Sequence, residues 1–199
     1  MADLEKTGKN LEGRGFRVHR FASGTEAAEF LVQTLHGTSI GIGGSVTIDT
    51  LGVYDRLCGS NEVFWHWKNH APETRERAGK AETYLCSANG VSENGEIVNI
   101  DGFGNRVAGT IYGPERVFLV VGRNKIAPDL TGAIDRARNI AAPLNARRLN
   151  RHTPCAVGEP RCHDCRSPEK VCGVMTVFFM PPTSIKEFHV IFVDEDLGY

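Results

Sequence analysis

The chain has 199 residues, of which 41% are hydrophobic and 24% charged, as expected for one globular domain with a full core. Its formal net charge of −1 excludes the broad basic surface that binds nucleic acid or anionic membranes non-specifically. No apolar run approaches the roughly 18 residues of a membrane span, and the first residues carry no leader pattern. The sequence therefore predicts a soluble, cytoplasmic protein with no nucleic-acid partner and no membrane span.

Helix and strand patterns alternate from the start of the chain. Residues 2–13 are polar with leucines on one helical face, and residues 16–21 alternate with the period of a half-buried strand. Ser23 and Glu26 form a capping box at the start of the next helix. Residues 39–43 then predict a short apolar strand.

The glycine turn Gly43-Gly44-Ser45 joins that strand to residues 46–57, whose apolar positions are spaced as a helix. The first turn of a helix presents free N–H groups and a partial positive charge, which attract phosphate or carboxylate. The turn differs from the dinucleotide-binding fingerprint, which needs a third glycine and a distant acidic residue. Two interpretations stay open, namely anion binding and simple helix capping by Ser45.

The middle of the chain continues the alternation. Residues 62–67 and 83–86 predict strands, and Pro72 opens a charged helix between them. Residues 116–121 are almost wholly apolar, as in a central strand that is covered on both faces. Strands that alternate with helices predict an α/β fold with a mostly parallel sheet.

The stretch from Ser87 to Gly109 is rich in glycine and polar residues. Asn94-Gly95 lies between alternating residues and predicts a tight hairpin. A second turn begins at Asp101, and a short helix follows from Arg106. In this second turn, glycines allow a close backbone approach, and Asn105 and Arg106 can hydrogen-bond whatever approaches.

The last part of the chain contains one more helix and two strands. Asp129 is a good N-cap for a helix that Pro143 interrupts or ends. Residues 174–179 and 188–193 predict two strands joined through Pro181-Pro182. We expect them to form an antiparallel pair at a sheet edge.

Four of the six cysteines form the most specific chemical pattern, because a chain without a secretion signal uses clustered thiols for metal or redox chemistry. They have the spacing C-x6-C-x2-C-x6-C among arginines and lysines: Cys155, Cys162, Cys165 and Cys172. A mononuclear zinc site usually takes two close pairs, whereas an iron–sulfur cluster accepts wider spacing. An iron–sulfur cluster of the 4Fe-4S type, a zinc ion and metal-free cysteines all stay open. Cys58 and Cys86 are interpreted as small buried apolar residues.

Five ordered motifs resemble the LUD, or lactate utilisation, domain family over nearly the whole chain. They are GIGGSVT (41–47), SANGVSENGEIVNIDGFGNRVAG (87–109), VVGRNKIAPDL (120–130), RNIAAPLNARRL (138–149) and the terminal EDLGY. The resemblance implies a Rossmann-like α/β fold akin to ribose-phosphate isomerases and coenzyme A transferases, as a single domain with a cysteine-rich insertion at about 150–173. It also implies association with bacterial oxidation of lactate.

The candidate ligand site combines residues at strand ends and helix starts: Gly43, Gly44, Ser45, Asn105, Arg106, Asn124 and Lys125. Ligands of open α/β sheets bind outside the carboxyl ends of the strands, so we expect these residues to share one crevice. Arg106 and Lys125 are the cations for a small anionic metabolite.

The leading hypothesis is a subunit that serves oxidation of lactate or a similar 2-hydroxy acid, with other subunits of an oxidation complex as partners and homo-oligomers left open. One alternative is a coenzyme A transferase-like enzyme, since Ser92-Glu93-Asn94-Gly95 coincides with a motif whose glutamate is nucleophilic. Others are an enzyme of the same fold group that acts on a phosphorylated metabolite, and a non-catalytic scaffold or ligand sensor. The identity of the catalytic residues stays unknown at this point.

Overall fold

Six parallel strands form a central sheet in the computed structural model, which describes residues 3–199. Their order across the sheet is β1 (Arg17–Phe21), β10 (Glu187–Val193), β7 (Arg116–Gly122), β4 (Thr83–Ser87), β2 (Ser39–Ile42) and β3 (Glu62–Trp65). In the register of the centre, Val190 lies beside Leu119, and Cys86 lies beside Leu119 on the opposite edge of β7. The predicted parallel α/β sheet is therefore confirmed.

A second sheet of four strands packs beside the first, in the order β8 (Ile126–Ala127), β5 (Gly90–Ser92), β6 (Ile97–Asp101) and β9 (Val174–Phe178). Strands β5 and β6 form the predicted hairpin, and Gly95 supplies the positive φ of 91° that the turn requires.

Helices cover both faces of the central sheet. One face is covered by α2 (Gly24–Thr34), α3 (Val46–Leu51) and α4 (Tyr54–Cys58). The opposite face is covered by α1 (Leu4–Gly13), α5 (Thr74–Gly79), α6 (Asn105–Ile111) and the second sheet. Alternation along β7 explains this, because Phe118 and Val120 enter one core and Val117, Leu119 and Val121 the other.

The outer face of the second sheet packs against a long interrupted helix. It consists of α7 (Leu130–Arg136), a π-helical segment (Ala137–Ala141) and α8 (Ala142–Arg148). The short helix α9 (Pro154–Val157) follows. Within residues 3–199, no helix is both long and apolar enough to cross a membrane.

The expectation that the last two strands pair with each other is wrong. Strand β9 pairs antiparallel with β6 in the second sheet, whereas β10 lies between β1 and β7 in the central sheet. Both strands are apolar, and the residues between them cross from one sheet to the other. Periodicity alone does not specify which partner an apolar strand chooses.

Three local expectations also need correction. Pro143 does not end its helix, because the wider π-helical turn that interrupts the α-helix directly before it accommodates a residue that lacks an N–H. Residues 46–57 form two helices rather than one, since Gly52 takes the left-handed conformation with a φ of 64°. Cys86 is buried as expected, but Cys58 is exposed at the end of α4.

Candidate functional site

The carboxyl ends of β2, β4 and β7 meet at one edge of the central sheet and enclose a small polar cavity of about 30 Å³. We call it the inner cavity. The lining side chains that carry polar groups come from the ends of these strands and the segments after them, from the residues after β3, from α6 and α8, and from the last residue: Ser45, Thr47, Trp67, Ser87, Asn89, Arg106, Lys125, Asn145 and Tyr199. Because it lies where parallel strands end, the cavity occupies the usual ligand position of an open α/β sheet.

Lys125 reaches this cavity from a 3-10 turn (Arg123–Lys125) directly after β7, and only 3% of its surface is exposed. Its Nζ donates hydrogen bonds of 2.7 Å to Thr47 Oγ1 and of 2.7 Å to Ser87 Oγ. Burial lowers the pKa of Lys125 well below its ordinary value, and the nearby charges of Arg136 and Arg106 lower it further. In the part of the chain that the structure describes, no carboxylate forms an ion pair with this amine.

Arg106 is the second cation of the inner cavity and belongs to the first turn of α6. Its guanidinium donates to Asn89 Oδ1 at 3.1 Å, to the carbonyl of Ile100 and, at 3.4 Å, to the carbonyl of Gly44. These acceptors are all neutral, and its buried Nε has no hydrogen-bond partner among residues 3–199. The positive charge is therefore held in place by uncharged groups.

Arg136 supports the same region from behind. It donates from Nε to the carbonyl of Asn124 at 2.7 Å and from Nη1 to the carbonyl of Asn89 at 2.5 Å. Burial lowers its pKa to about 10, so it stays charged at neutral pH. Its charge adds to the positive potential at Lys125 without reaching the cavity wall.

The last residues of the chain cover the inner cavity. Asn124 donates to the carbonyl of Gly198 at 3.2 Å and accepts from the Leu197 N–H at 3.2 Å. Tyr199 lies in the cavity wall, where its hydroxyl donates to Asn145 Oδ1 at 2.9 Å and accepts from Arg148 Nε at 2.8 Å. The terminal EDLGY motif thus helps to close the cavity.

The four-cysteine segment, residues 150–173, lies beyond α8 and is mostly irregular. Its four cysteines are free and partly exposed. Cys162 Sγ lies 3.3 Å from Arg138 Nη2, and Cys155 Sγ lies 3.3 Å from Thr153 Oγ1. Burial raises the pKa of the Cys172 thiol; Lys170 opposes this effect, and the other three thiols add to it. Cys172 is therefore near enough to the other three thiols for their charges to influence it.

The donor set fits a thiolate-bound metal centre in chemistry, since four soft sulfur ligands and a nearby guanidinium suit a negatively charged cluster. Within residues 3–199, no three His, Cys, Asp or Glu side chains are close enough together to hold one metal ion.

A family model for the LUD domain matches residues 4–193. The chain belongs to the LUD-domain family. This family is associated in general with lactate utilisation. A crystal structure of a DUF162 family protein from Deinococcus radiodurans is similar to this LUD domain with a TM-score of 0.56 and 14% identity, and the similarity covers 96% of this chain and 95% of that one. At this identity, the likeness supports the fold alone. The comparison with curated proteins gave no match.

The structure brings together four of the seven residues expected to form the ligand site of this LUD domain. Gly44, Ser45, Arg106 and Lys125 all line the inner cavity. Ser45 Oγ accepts a hydrogen bond of 3.2 Å from the Ile48 N–H and so caps α3, a helix of only six residues.

The other three expected residues do not line the inner cavity. Gly43 packs behind Arg106, where a Cβ would come within 3.3 Å of Cys86 Cβ. The Asn105 backbone carbonyl accepts a hydrogen bond of 3.1 Å from the Tyr84 hydroxyl. Asn124 holds the terminal segment instead. Gly43 and Asn124 therefore support the cavity from behind.

Sequence reasoning missed Thr47, Ser87 and Asn89. Ser87 ends β4 and Asn89 follows it, so the rule that ligands bind at the carboxyl ends of parallel strands was a signal for both. Thr47 lies in the first turn of α3, and in the sequence it is only one residue of a predicted helix. Nothing local distinguishes it from a surface threonine.

Glu93 lies away from the inner cavity. Its carboxylate accepts a hydrogen bond of 2.9 Å from Lys6 Nζ and one of 3.3 Å from the Asp3 N–H, at the start of α1. These hydrogen bonds and the charge of Lys6 lower its pKa. A nucleophile needs a substrate cavity beside it, so the position of Glu93 disfavours the coenzyme A transferase interpretation.

A wider cleft of about 800 Å³ opens outward from the inner cavity, and we call it the outer cleft. The two share a common boundary: Gly44, Trp67, Arg106, Asn145 and Val171. Residues 168–171 of the four-cysteine segment form one wall, and the turn from Asp101 to Asn105 contributes another. His66 also lines the cleft, and burial, with a smaller contribution from Arg75, lowers its pKa to about 4.

Proposed function

We propose that this LUD domain binds the carboxylate of lactate or a similar small 2-hydroxy acid in the inner cavity and serves its oxidation as a subunit that carries a redox cluster. The observation that carries the proposal is Lys125, a buried amine without a carboxylate partner in the described part of the chain. A buried cation without a counter-ion costs stability, and a bound carboxylate supplies the missing charge.

Arg106 supports this assignment, because its guanidinium contacts only neutral acceptors. A carboxylate between Arg106 and Lys125 forms charge-assisted hydrogen bonds with both. The hydroxyls of Ser87 and Thr47 stand beside the amine and suit the 2-hydroxyl group of the same ligand. An inner cavity of about 30 Å³ has room for about two water molecules, and therefore for a carboxylate group, with the rest of the ligand directed toward the outer cleft.

We also propose that Cys155, Cys162, Cys165 and Cys172 hold an iron–sulfur cluster of the 4Fe-4S type, with zinc as the alternative. Such a cluster supplies one-electron transfer when bound. The guanidinium of Arg138, which contacts Cys162 Sγ, offsets part of the thiolate charge. Residues 168–171, between the last two cysteines, line the outer cleft, so the cluster site and the ligand site are neighbours. This placement supports a subunit that passes electrons to other members of an oxidation complex.

Calorimetric titration with lactate, and with other small carboxylates, tests the ligand site. Lys125→Met should abolish binding, while Lys9→Met should not, because Lys9 is exposed and pairs with Glu5 at 2.7 Å. Equal binding by the wild type and Lys125→Met would exclude the inner cavity as the carboxylate site.

Anaerobic purification with iron, sulfide and zinc analysis tests the cluster. We expect a broad visible absorption band together with iron and sulfide, both lost in Cys172→Ser and kept in Cys58→Ser, where the exposed cysteine lies outside the segment. One zinc per chain without iron would remove the electron-transfer role. A chain with neither metal would favour a non-catalytic scaffold or ligand sensor.

A further inference from the structure

We propose that the outer cleft binds a nucleotide-type ligand, meaning a planar base joined to two or more phosphate charges. The outer cleft adjoins the inner cavity and shares Arg106 with it. Phe103 and the other four unpaired cations lie outside the inner cavity, so the test of this proposal does not depend on the 2-hydroxy acid assignment.

Uncompensated positive charge is the first observation. Five cations in the cleft wall form no ion pair within residues 3–199: Arg75, Arg106, Arg148, Arg151 and Lys170. Three carboxylates also line the cleft against six cations in all, so its wall carries a net charge of +3. Asp49 pairs with Lys68 at 3.0 Å, Asp101 accepts from the Arg106 N–H at 2.9 Å, and Glu169 accepts from the His152 N–H at 2.5 Å. In a chain whose net charge is −1, this concentration of cations marks a site for a multiply charged anion.

Aromatic rings capped by guanidinium groups are the second observation. Phe103 is 74% exposed at the cleft, and Arg75 lies over its ring at 4.9 Å from the centroid. Arg148 lies over the Trp67 ring at 4.5 Å. A large apolar ring that is exposed beside a cation offers a base both a stacking surface and a counter-charge.

The size of the cleft is the third observation. At about 800 Å³, it lies in the range of roughly 300–1,000 Å³ that holds cofactor-sized ligands. A lactate-sized molecule would fill only a small part of it. A sugar phosphate has charge without a flat ring, and an apolar ligand leaves the five cations without counter-ions. A base with two phosphates satisfies the ring, the charge and the volume together.

Calorimetric titration with three probes separates these contributions. ADP carries ring and charge, adenosine carries the ring alone, and pyrophosphate carries charge alone. We expect ADP to bind at least tenfold more tightly than either fragment, and we expect its affinity to fall as salt is added, because the charged part of the site is solvent-accessible.

Two variants and their matched controls locate the site. Phe103→Ala should weaken ADP about tenfold, the usual cost of a lost stacking partner, and leave pyrophosphate unchanged. Arg75→Gln should weaken both. Tyr112→Ala and Arg56→Gln should change neither, since Tyr112 is 77% exposed outside the cleft and Arg56 pairs with Glu29 at 2.6 Å.

Three outcomes would overturn the proposal. ADP that does not bind, or that binds no better than pyrophosphate, excludes base recognition. An affinity that is unaffected by both Phe103→Ala and Arg75→Gln places the ligand elsewhere. A short oligothymidylate that binds more tightly than ADP identifies the cleft as a single-strand nucleic-acid surface instead. Loss of lactate binding in Lys125→Met bears only on the inner cavity, so the two proposals fail separately.

Discussion

The inner cavity and the four-cysteine segment differ in what holds their polar groups in place. In the inner cavity, Lys125 is buried between two hydroxyls, and the Arg106 guanidinium donates hydrogen bonds to three neutral acceptors, so both side chains are positioned before any ligand arrives. In residues 150–173, only Thr153 is fully buried, and the backbone forms one short helix, α9. The fold builds the first site by itself, whereas the second is the one that we expect to gain rigidity from the proposed cluster.

The largest expected effect is steric, and it contrasts strand β2, whose carboxyl end supports the inner cavity, with the four-cysteine segment. A Cβ on Gly41 in β2 would come within 2.0 Å of the Ala78 carbonyl oxygen, whereas a Cβ on Gly173 meets nothing within 4 Å. We expect Gly41→Ala to lower the free energy of unfolding by about 3 kcal/mol or more, since a backbone contact cannot move aside. Gly173→Ala is the control and should stay within about 0.5 kcal/mol of the wild type in urea unfolding. Equal effects would contradict the comparison.

Lys125 provides the second test, through stability against pH. Its pKa is lowered from 10.5 in the folded state, so the unfolded chain binds the proton more tightly, and stability rises as pH increases from the lowered value toward 10.5. Lys125→Met should remove this rise and stabilise the ligand-free chain near neutral pH by about 1–3 kcal/mol. Thermal unfolding over a pH series measures both, and a destabilised Met variant would show that the amine is a structural requirement.

Carboxylate binding should also depend on pH, but with the opposite sign to that of stability. A bound anion favours the charged amine, so binding takes up a proton and weakens as pH rises above the lowered pKa of Lys125. Calorimetry in buffers with different ionisation enthalpies measures the proton uptake. Arg106, Arg136 and Cys86 are the other charged or titratable groups that influence this amine, and burial raises the pKa of Cys86 to about 12, so it stays neutral in this range. Binding without proton uptake would mean that Lys125 is already charged.

Hydrogen exchange measures the rigidity of the two regions. Strands β4 and β7 should exchange slowly whether or not the protein has been reconstituted with iron and sulfide, because they are central strands. Residues 158–173 should exchange fast before reconstitution and gain protection after it. Cys172→Ser is the control that should abolish the gain. Slow exchange in the metal-free segment would show that packing alone orders it.

The smallest expected effect concerns Glu93. Glu93→Gln should leave carboxylate binding unchanged, because its carboxylate contacts α1 and not the inner cavity. Incubation with acyl-CoA followed by borohydride should give no modified Glu93 in the mass spectrum. An adduct on this residue would support the coenzyme A transferase interpretation instead.

Much of the fold followed from local patterns in the sequence. The Asn94-Gly95 hairpin, the Ser23 and Asp129 caps and the apolar central strand β7 all occur where the residues predict them. Each depends on neighbours a few positions apart, and local spacing is what a sequence displays directly. The same reasoning identified Lys125 and Arg106, because polar residues that follow apolar strands collect at one edge of a parallel sheet.

Tertiary structure decided the features whose partners are distant in the chain. The partners of β9 and β10 depend on which apolar surfaces are still uncovered. The apolar patterns of the two strands do not specify those partners. Thr47 became a site residue only because Lys125, 78 positions away, extends its amine toward it. The sequence by itself determined the elements and the chemical groups available, while packing determined which of those groups lost contact with water. Packing therefore left Lys125 without a counter-ion, because a lysine needs one only after the fold has removed it from solvent.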